Sequence, residues 1–448
     1  MAQPARNETA RERPHRHHYD AEMLSVEEAR ERILSYFSTL PPADTPLLDT
    51  LGQVLAEDLH ATFDIPPLAN SAMDGYAVRS ADLQEASESA AVTLPVSGSV
   101  AAGELPASPI APNTAVRIMT GAPLPEGADS VVPFEDTDEA QRRSSDDMAD
   151  MIGLKLRVEP GDNVRPAGED VHRGELVLKK GTVMRPGEIG VAASLGLQSV
   201  HVIRRPTVAI ISTGDELLEP GEPHQPGKIY NSNAYTTAAE VKKYGGIPNI
   251  IGIARDTVES LTSALEKALD ADMVVTSAGV SKGDYDVVKD VLAQRGKIAL
   301  WSVRMRPAKP LAFGTLDAPG GRKVPHLGLP GNPVSAMVAF EQFGRPAINL
   351  MMGRKFQPRP SIQAVLDDPI YNHDGRRVYA RVVVYLDGEG VYHARTTGNQ
   401  SSGVLTSMAA ANGLAICPHD IASMKPGETA TVEMLDWPDD VSLPGGGN

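Results

Sequence analysis

Hydrophobic and polar positions divide the chain into stretches of different character. Ser25 to Leu40 repeats apolar residues at helical spacing; Ser25 suits an N-cap, Glu28 stands three residues on, and Pro41-Pro42 stops the run. Val92 to Val132 and Leu154 to Val202 carry short apolar runs among Val, Pro and Gly, which predict β structure, with a helix over Pro186 to Leu195. From Thr207 the pattern changes. Thr207 to Ile211 is a run β-branched at every position but Ala209, suited to a strand buried on both faces. Strands are predicted again at Ile247–Ile253, Met273–Thr276 and Ile298–Val303, separated by helices at Ser232–Tyr244, Thr257–Leu269 and Tyr285–Gln294. That alternation predicts a doubly wound parallel α/β sheet. Asn332 then caps a helix with Pro333 at its first position, running to about Leu350. Ser361 to Met434 returns to short strands and is expected as a terminal β domain.

Composition narrows the function classes. The 448 residues are 41% hydrophobic, enough for several ordinary globular cores. The formal charge of −16 argues against a nucleic-acid coat and gives no pull toward anionic membranes. Aromatic residues are only 4%, which disfavours base-stacking platforms. No run reaches the length of a membrane helix. The single cysteine, Cys417, excludes an internal disulfide framework and fits cytoplasmic residence. Met1 to Asp20 is rich in Arg and His without an apolar run, so it reads as a polar tail and not a secretory signal. Glu135 to Asp150 reads as a solvated acidic loop.

The candidate chemistry gathers where the predicted strands end, because parallel α/β sheets bind ligands beyond the carboxyl ends of their strands. There stand Ser212-Thr213-Gly214-Asp215-Glu216, Arg255-Asp256, the stretch Ser277 to Asp286, Arg304 to Pro310, and Leu329-Pro330-Gly331-Asn332-Pro333. Small residues such as Ser277, Gly279, Ser281 and Gly283 let backbone amides approach an anion. Lys282, Arg304, Arg306 and Lys309 supply positive charge. Asp215, Glu216, Asp256, Asp284 and Asp286 would repel phosphate unless a cation bridges them, and oxygen ligands beside phosphates suit Mg²⁺. A Mg²⁺-dependent enzyme acting on a phosphate or nucleotide is the reading that follows. Taken singly, most of these residues are ordinary turn and cap residues; their convergence on one sheet edge carries the reading. Three further motifs, around Asp74, Thr120 and Asp170, look like turns by composition alone.

At these same residues the chain resembles the bacterial MoeA family of molybdopterin molybdenumtransferases and the E domains of gephyrin and its plant relatives. The matching stretches are NSAMDGYAV (70–78), VRIMTGAPLPEGADSVVPFE (116–135), GDNVRPAGEDV (161–171), VAIISTGDEL (208–217), IYNSN (229–233), TSAGVSKGDYD (276–286), RPAKPLAFG (306–314), LPGNPVSA (329–336) and SSGVLTSMAAANGL (401–414). They run in order over about residues 23–436. The resemblance implies a multidomain α/β and β protein: a disordered tail over 1–22, a mixed linker domain from 23–62 plus 151–190, an inserted β-rich domain at 63–150, a doubly wound molybdopterin-binding-like α/β domain at 191–352, and a C-terminal β-barrel domain at 353–438. It implies transfer of molybdate to adenylylated molybdopterin with release of AMP, dependent on Mg²⁺. The alternatives within the same fold are a cofactor carrier or scaffold without transfer, and a tungstate-preferring paralogue.

By position in the motifs, Glu216, Asp256, Asp284 and Asp286 are implied as the metal and hydrolysis group. Ser212, Thr213, Gly214, Asp215, Ser277, Gly279, Ser281, Lys282, Pro330, Gly331, Asn332 and Pro333 are implied as phosphate or pterin contacts. Arg306, Lys309, Pro310, Arg381 and Ser402 are implied around molybdate. Asp74, Thr120 and Asp170 are implied to complete the cleft from the partner subunit of a homodimer. Contact with the molybdopterin adenylyltransferase is a further implied partnership. The family pattern has glycine where this chain has Ala278 and Ala308, and lysine where it has Arg306, so a positive φ at either alanine would alter the site locally.

Overall fold

The computed structural model describes residues 23–144, 150–277, 291–292 and 294–437. The tail 1–22, residues 145–149, all of 278–290 with the expected loop and most of the expected helix Tyr285–Gln294, residue 293, and 438–448 lie outside the described residues. The chain forms two compact units, 44–202 and the remainder.

In the larger unit, Ser25 caps helix α1 (Val26–Leu34), its hydroxyl accepting from Glu28 N while the Glu28 carboxylate accepts from Ser25 N. The helix is shorter than the spacing predicts. The chain leaves it so that Phe37 meets Phe313 and Leu40 N bonds Met351 O. A six-stranded sheet follows, built from β1 (Thr207–Thr213), β2 (Ile247–Ala254), β3 (Met273–Ser277), β4 (Gly296–Ser302), β5 (Pro310–Asp317) and β6 (Lys323–Leu329), in the order β2-β1-β3-β6-β5-β4. The first four in that order are parallel. β5 runs antiparallel to both β6 and β4. Two of these strands, β5 and β6, were not among those the pattern predicts. Pro310, Pro325, Gly314 and Gly328 punctuate them, and the buried His326 breaks the apolar run. Because β5 reverses twice, β4 points the same way as the parallel strands. The turn 303–309 therefore still falls at their carboxyl edge.

Alternate residues of β1 face opposite cores, as a doubly covered strand requires. Val208 and Ile210 pack with α1, with α2 (Ser232–Lys243) and with the helical run that starts at α3 (Pro333–Ala339) and continues to Met351. Ala209 and Ile211 pack with Leu261, Leu265 and Ala268 of the helix Val258–Ala268, and with Val291 and Leu292. The last described segment is a closed five-stranded barrel of β7 (Ser361–Leu366), β8 (Arg377–Leu386), β9 (Tyr392–Thr396), β10 (Gly413–Cys417) and β11 (Thr429–Met434). Ala380, Val382 and Val384 of β8 fill its interior, so Tyr379 and Arg381 point outward.

The smaller unit holds a five-stranded sheet in the order 130–133, 75–78, 115–118, 92–100, 151–154. Its last strand comes from beyond residue 150. Chain segments on either side of this sheet pack on each other through Leu55, Leu59, Met184, Ala192 and Val202. The acidic stretch expected as a solvated loop is partly helical, from Glu139 to Ser144, and Glu139 is only 5% exposed. Its carboxylate accepts from Tyr76 OH at 3.0 Å and pairs with Arg117 at 3.1 Å.

Candidate functional site

The carboxyl ends of the parallel strands are stitched together by short polar side chains. Ser212 Oγ donates to Asn231 Oδ1 at 2.7 Å and lies 3.1 Å from Ser277 Oγ. Asn231 also caps α2 through Ala234 N, so one side chain fixes both a strand end and a helix start. Thr213 Oγ1 donates to Ser277 O, and Asn233 Nδ2 donates to Gly331 O at 2.8 Å. The loops after β1 and β2 hold each other: Asp215 N donates to Asp256 Oδ2 and Asp256 N to Asp215 Oδ1, both at 3.4 Å. Arg255 and Lys228 both donate to Asp215 O. Gly214 is required in this loop. Its φ is +142°, and a Cβ there would fall 2.4 Å from the Glu216 carboxylate, which folds back over the glycine.

These elements enclose a cavity of about 690 Å³. Thr213, Glu216, Asn231, Asn233, Ser277, Pro330, Gly331, Asn332 and Pro333 line it, and Glu216 is the only charged residue of the lining among the described residues. Ser212 is fully buried behind it. A second cavity of about 710 Å³ adjoins the first, sharing Pro310 and Ser335. Its lining is cationic: Arg306, Lys309, Arg376 and Arg381, with His373 beside them and no Asp or Glu among the described residues. Asn332 Nδ2 donates to Ser402 Oγ at 3.0 Å, joining a residue of the first cavity to one of the second.

Arg381 is the unusual member. It is 1% exposed, and its guanidinium donates to neutral oxygens, Ser407 Oγ, Asn399 O and Ser401 O. Burial pushes it down to about 10, and Arg306 nearby pushes the same way. A desolvated cation with only neutral oxygens as acceptors suits an anion that arrives from outside. The turn carrying Arg306 and Lys309 contains Ala308 at φ +72°, a left-handed alanine. The positive φ considered for this position is therefore present.

In the smaller unit, the three motifs that composition reads as turns interlock. Asn70 pairs with Arg165 and Ser71 with Val164, while Ser71 N donates to Ala122 O and Gly121 N to Ser71 O. Asp74 accepts from Thr120 N and Thr120 Oγ1, each at 2.7 Å. The backbone bond, then the hydroxyl, hold its carboxyl below the usual range. Asp170 N donates to Ile65 O at the end of the third motif.

Gly279, Ser281, Lys282, Asp284 and Asp286 lie outside the described residues. Among the described residues there is no group of three His, Cys, Asp or Glu placed to hold a metal. The described half of the expected Mg²⁺ set, Glu216 and Asp256, is all-oxygen, as a hard cation requires. Sequence reasoning missed Asn231, Asn233 and Ser335 in one cavity and His373, Arg376, Asn399 and Gln400 in the other. The usable signal for Arg376 was its place beside Arg377, just before a strand of alternating apolar residues. The neutral amides carried no signal beyond ordinary turn chemistry.

Comparison with known proteins gives a consistent pattern. Residues 24–196 match the model of the MoeA N-terminal region (domain I and II). Residues 209–350 match a probable molybdopterin binding domain, and 363–435 the MoeA C-terminal region (domain IV). The chain is 37% identical over 412 residues to molybdopterin molybdenumtransferase 2 of Mycobacterium tuberculosis, covering 90% of this chain and 98% of that protein. It is 34% identical over 417 residues to the molybdopterin molybdenumtransferase of Haemophilus influenzae, covering 92% and 98%. The crystal structure of a molybdopterin biosynthesis MoeA protein from Pyrococcus horikoshii superposes with a TM-score of 0.76 at 32% identity, covering 93% of this chain and 100% of that one.

Proposed function

The chain belongs to the MoeA family of molybdopterin molybdenumtransferases, and we propose that it joins molybdate to adenylylated molybdopterin in a Mg²⁺-dependent reaction that releases AMP. The observation that supports this most is the pair of adjoining cavities, one lined by hydroxyls and amides with Glu216 its one charge among the described residues, the other cationic. A molecule with a phosphate-bearing ring suits the first. Thr213, Ser277 and Asn332 offer donors there without repelling it, and Ser281 and Lys282 belong to the same expected set. A tetrahedral oxyanion suits the second, held by Lys309, Arg306, Arg381 and Ser402. The seam at Pro310, Ser335 and the Asn332–Ser402 bond is where the two reactants would meet.

A Mg²⁺ ion held by Glu216, Asp256, Asp284 and Asp286 would neutralise the phosphoanhydride oxygens. Glu216 is the member of that group in a described cavity lining, and a carboxylate of the group would take the proton of the attacking water as the anhydride P–O bond breaks and AMP leaves. Asp74, Thr120 and Asp170, on their interlocked loops, would complete the cleft of the second subunit in a homodimer. Cytoplasmic residence, contact with the molybdopterin adenylyltransferase, and the division into four domains with the boundaries given above belong to the same proposal.

The test is direct. Purified protein with adenylylated molybdopterin, molybdate and Mg²⁺ is expected to yield AMP and a cofactor that reconstitutes an apo-molybdoenzyme. Binding of the substrate without either product would replace transfer by the carrier reading. Saturation by tungstate at a lower concentration than molybdate would assign the tungstate-preferring alternative.

A further inference from the structure

One cluster of titratable groups lies outside both cavities yet touches the wall of one. On the barrel, His393 sits between two carboxylates. Its Nδ1 is 2.8 Å from Asp367 Oδ1 and its Nε2 is 3.3 Å from Asp387 Oδ2. A neutral imidazole has one donor and one acceptor, so it satisfies only one carboxylate; imidazolium satisfies both. Tyr385 stacks on the ring and donates to Asp367 Oδ2 at 2.9 Å, and Arg395 lies over the Tyr385 ring. These are the charged and titratable groups around His393 from β7, β8 and β9. Hydrogen bonding to Asp367, with the charges of both carboxylates, raises its pKa above the ordinary value.

The clamp leads to the oxyanion cavity in two steps. Asp387 fixes the β8–β9 turn by accepting from Glu389 N and Val391 N. Asp367 begins the segment whose next residue, Asp368, accepts from Thr396 N and Thr396 Oγ1, both at 2.9 Å. Pro369 and Thr396 line the cationic cavity, and Thr396 pairs across the sheet with Val382, next to Arg381. The far end of the same wall is held separately, by pairing of Ile370–Tyr371 with Ser423–Met424.

We infer that His393 is a positioning residue for the cationic cavity: as imidazolium it ties the β8–β9 turn to Asp367, and so sets Pro369 and Thr396 beside Arg381. This rests on the reading that the cavity takes an oxyanion. The sign follows from linkage. A histidine whose folded pKa is raised contributes fully below its ordinary pKa of 6.5, and its contribution is lost as pH rises through the folded value. The wall is therefore tight below about pH 6.5 and slackens as pH rises through the folded value.

The test is tungstate binding by calorimetry between about pH 6 and pH 9, in the full chain. The background carries His373→Asn, so that the cavity's own histidine adds no step. The expected result is an affinity about threefold weaker at the alkaline end, the size of a partly exposed ion pair. His393→Gln is expected to abolish that step. Asp387→Asn keeps the Oδ1 acceptor for the turn but puts an NH2 group where Oδ2 met Nε2, so the tie is broken and the step is expected to shrink and move to lower pH. A purely structural role for His393 would not move the step. The same step in His393→Gln as in the parent, or an unmoved step in Asp387→Asn, overturns the inference while leaving oxyanion binding intact. Absence of tungstate binding at every pH overturns the oxyanion reading itself, and the inference with it. Protection of the Asp367 and Asp368 amides against hydrogen exchange, taken relative to the intrinsic rate and unchanged with pH in the parent, overturns the clamp alone.

Discussion

The two adjoining cavities differ in how their polar groups are held. In the neutral cavity at the α/β edge, hydroxyls and amides satisfy one another: Ser212 with Asn231 and Ser277, Thr213 with Ser277, Asn233 with Gly331. In the cationic cavity, charge is concentrated with no carboxylate in the lining, and Arg381 is desolvated against neutral oxygens. The first is preorganised and nearly complete without a ligand. The second carries an electrostatic cost that an incoming anion would relieve. The difference teaches that recognition and charge compensation are divided between two walls that share only Pro310 and Ser335.

The sharpest way to separate the two walls is Glu216→Gln. Among the described residues it removes the one charged group in the lining of the first cavity and leaves the lining of the other cavity untouched. AMP release is expected to fall about 1000-fold, the range of a lost general base or metal ligand, while tungstate affinity stays at the parent value. Equal losses of both would mean that the two cavities act as one. Arg381→Met is the converse. It removes three hydrogen bonds but also a buried charge, and these terms oppose each other. Unfolding free energy in urea is expected to stay within about 1 kcal/mol of the parent, while tungstate affinity drops about 100-fold. A large loss of stability would make Arg381 a structural residue.

The same contrast decides what was legible in the sequence. The β-branched run at 207–211 announced a strand covered on both faces, and the loops after β1 and β3 followed from it. β5 and β6 were not legible, because proline and glycine, which the sequence reading takes as turn signals, are carried inside these strands. His326 hid β6 further. It is fully buried, bonds Thr276 Oγ1 through Nε2, and burial pushes it down to about 3, so it stays neutral in the core. The cationic wall was legible as charge at Arg306 and Lys309. Arg381 was reached through resemblance, although a lone arginine between Ala380 and Val382 of an apolar strand was itself a signal. The neutral wall was least legible, since Asn231 and Asn233 look like any helix cap until the structure shows what else they hold. The pairing of Asp74 with Thr120 required the fold, because 46 residues separate them.

A smaller effect is expected from Lys309→Ala, which leaves Arg306, Arg376 and Arg381 in the lining. The molybdate concentration needed for half-maximal AMP release is expected to rise about tenfold. The Mg²⁺ requirement should not change, since Glu216, the acid of the expected metal set found in a described cavity lining, lines the other cavity. A shifted Mg²⁺ requirement would place Lys309 with the phosphate and blur the division between the cavities.

The smallest effect, and the finest probe of how the cationic wall is built, is Ala308→Gly. Ala308 is 4% exposed at φ +72°, between two lining cations. Glycine would relieve about 1–2 kcal/mol of left-handed strain. Against that stand the loss of a buried methyl, about 0.8 kcal/mol, and the greater freedom of the unfolded glycine chain, about 0.4–1 kcal/mol. The terms nearly cancel, so the unfolding free energy is expected to change by less than about 1 kcal/mol. Binding should respond differently, because glycine lets the turn sample conformations in which Arg306 and Lys309 are not already placed. Tungstate affinity is expected to fall about threefold by calorimetry with stability unchanged. Unchanged affinity would mean that the alanine only completes the core it also contacts. A stability loss beyond about 2 kcal/mol would mean that methyl packing outweighs the strain, and would move Ala308 from the wall of the cavity into the core of the α/β sheet.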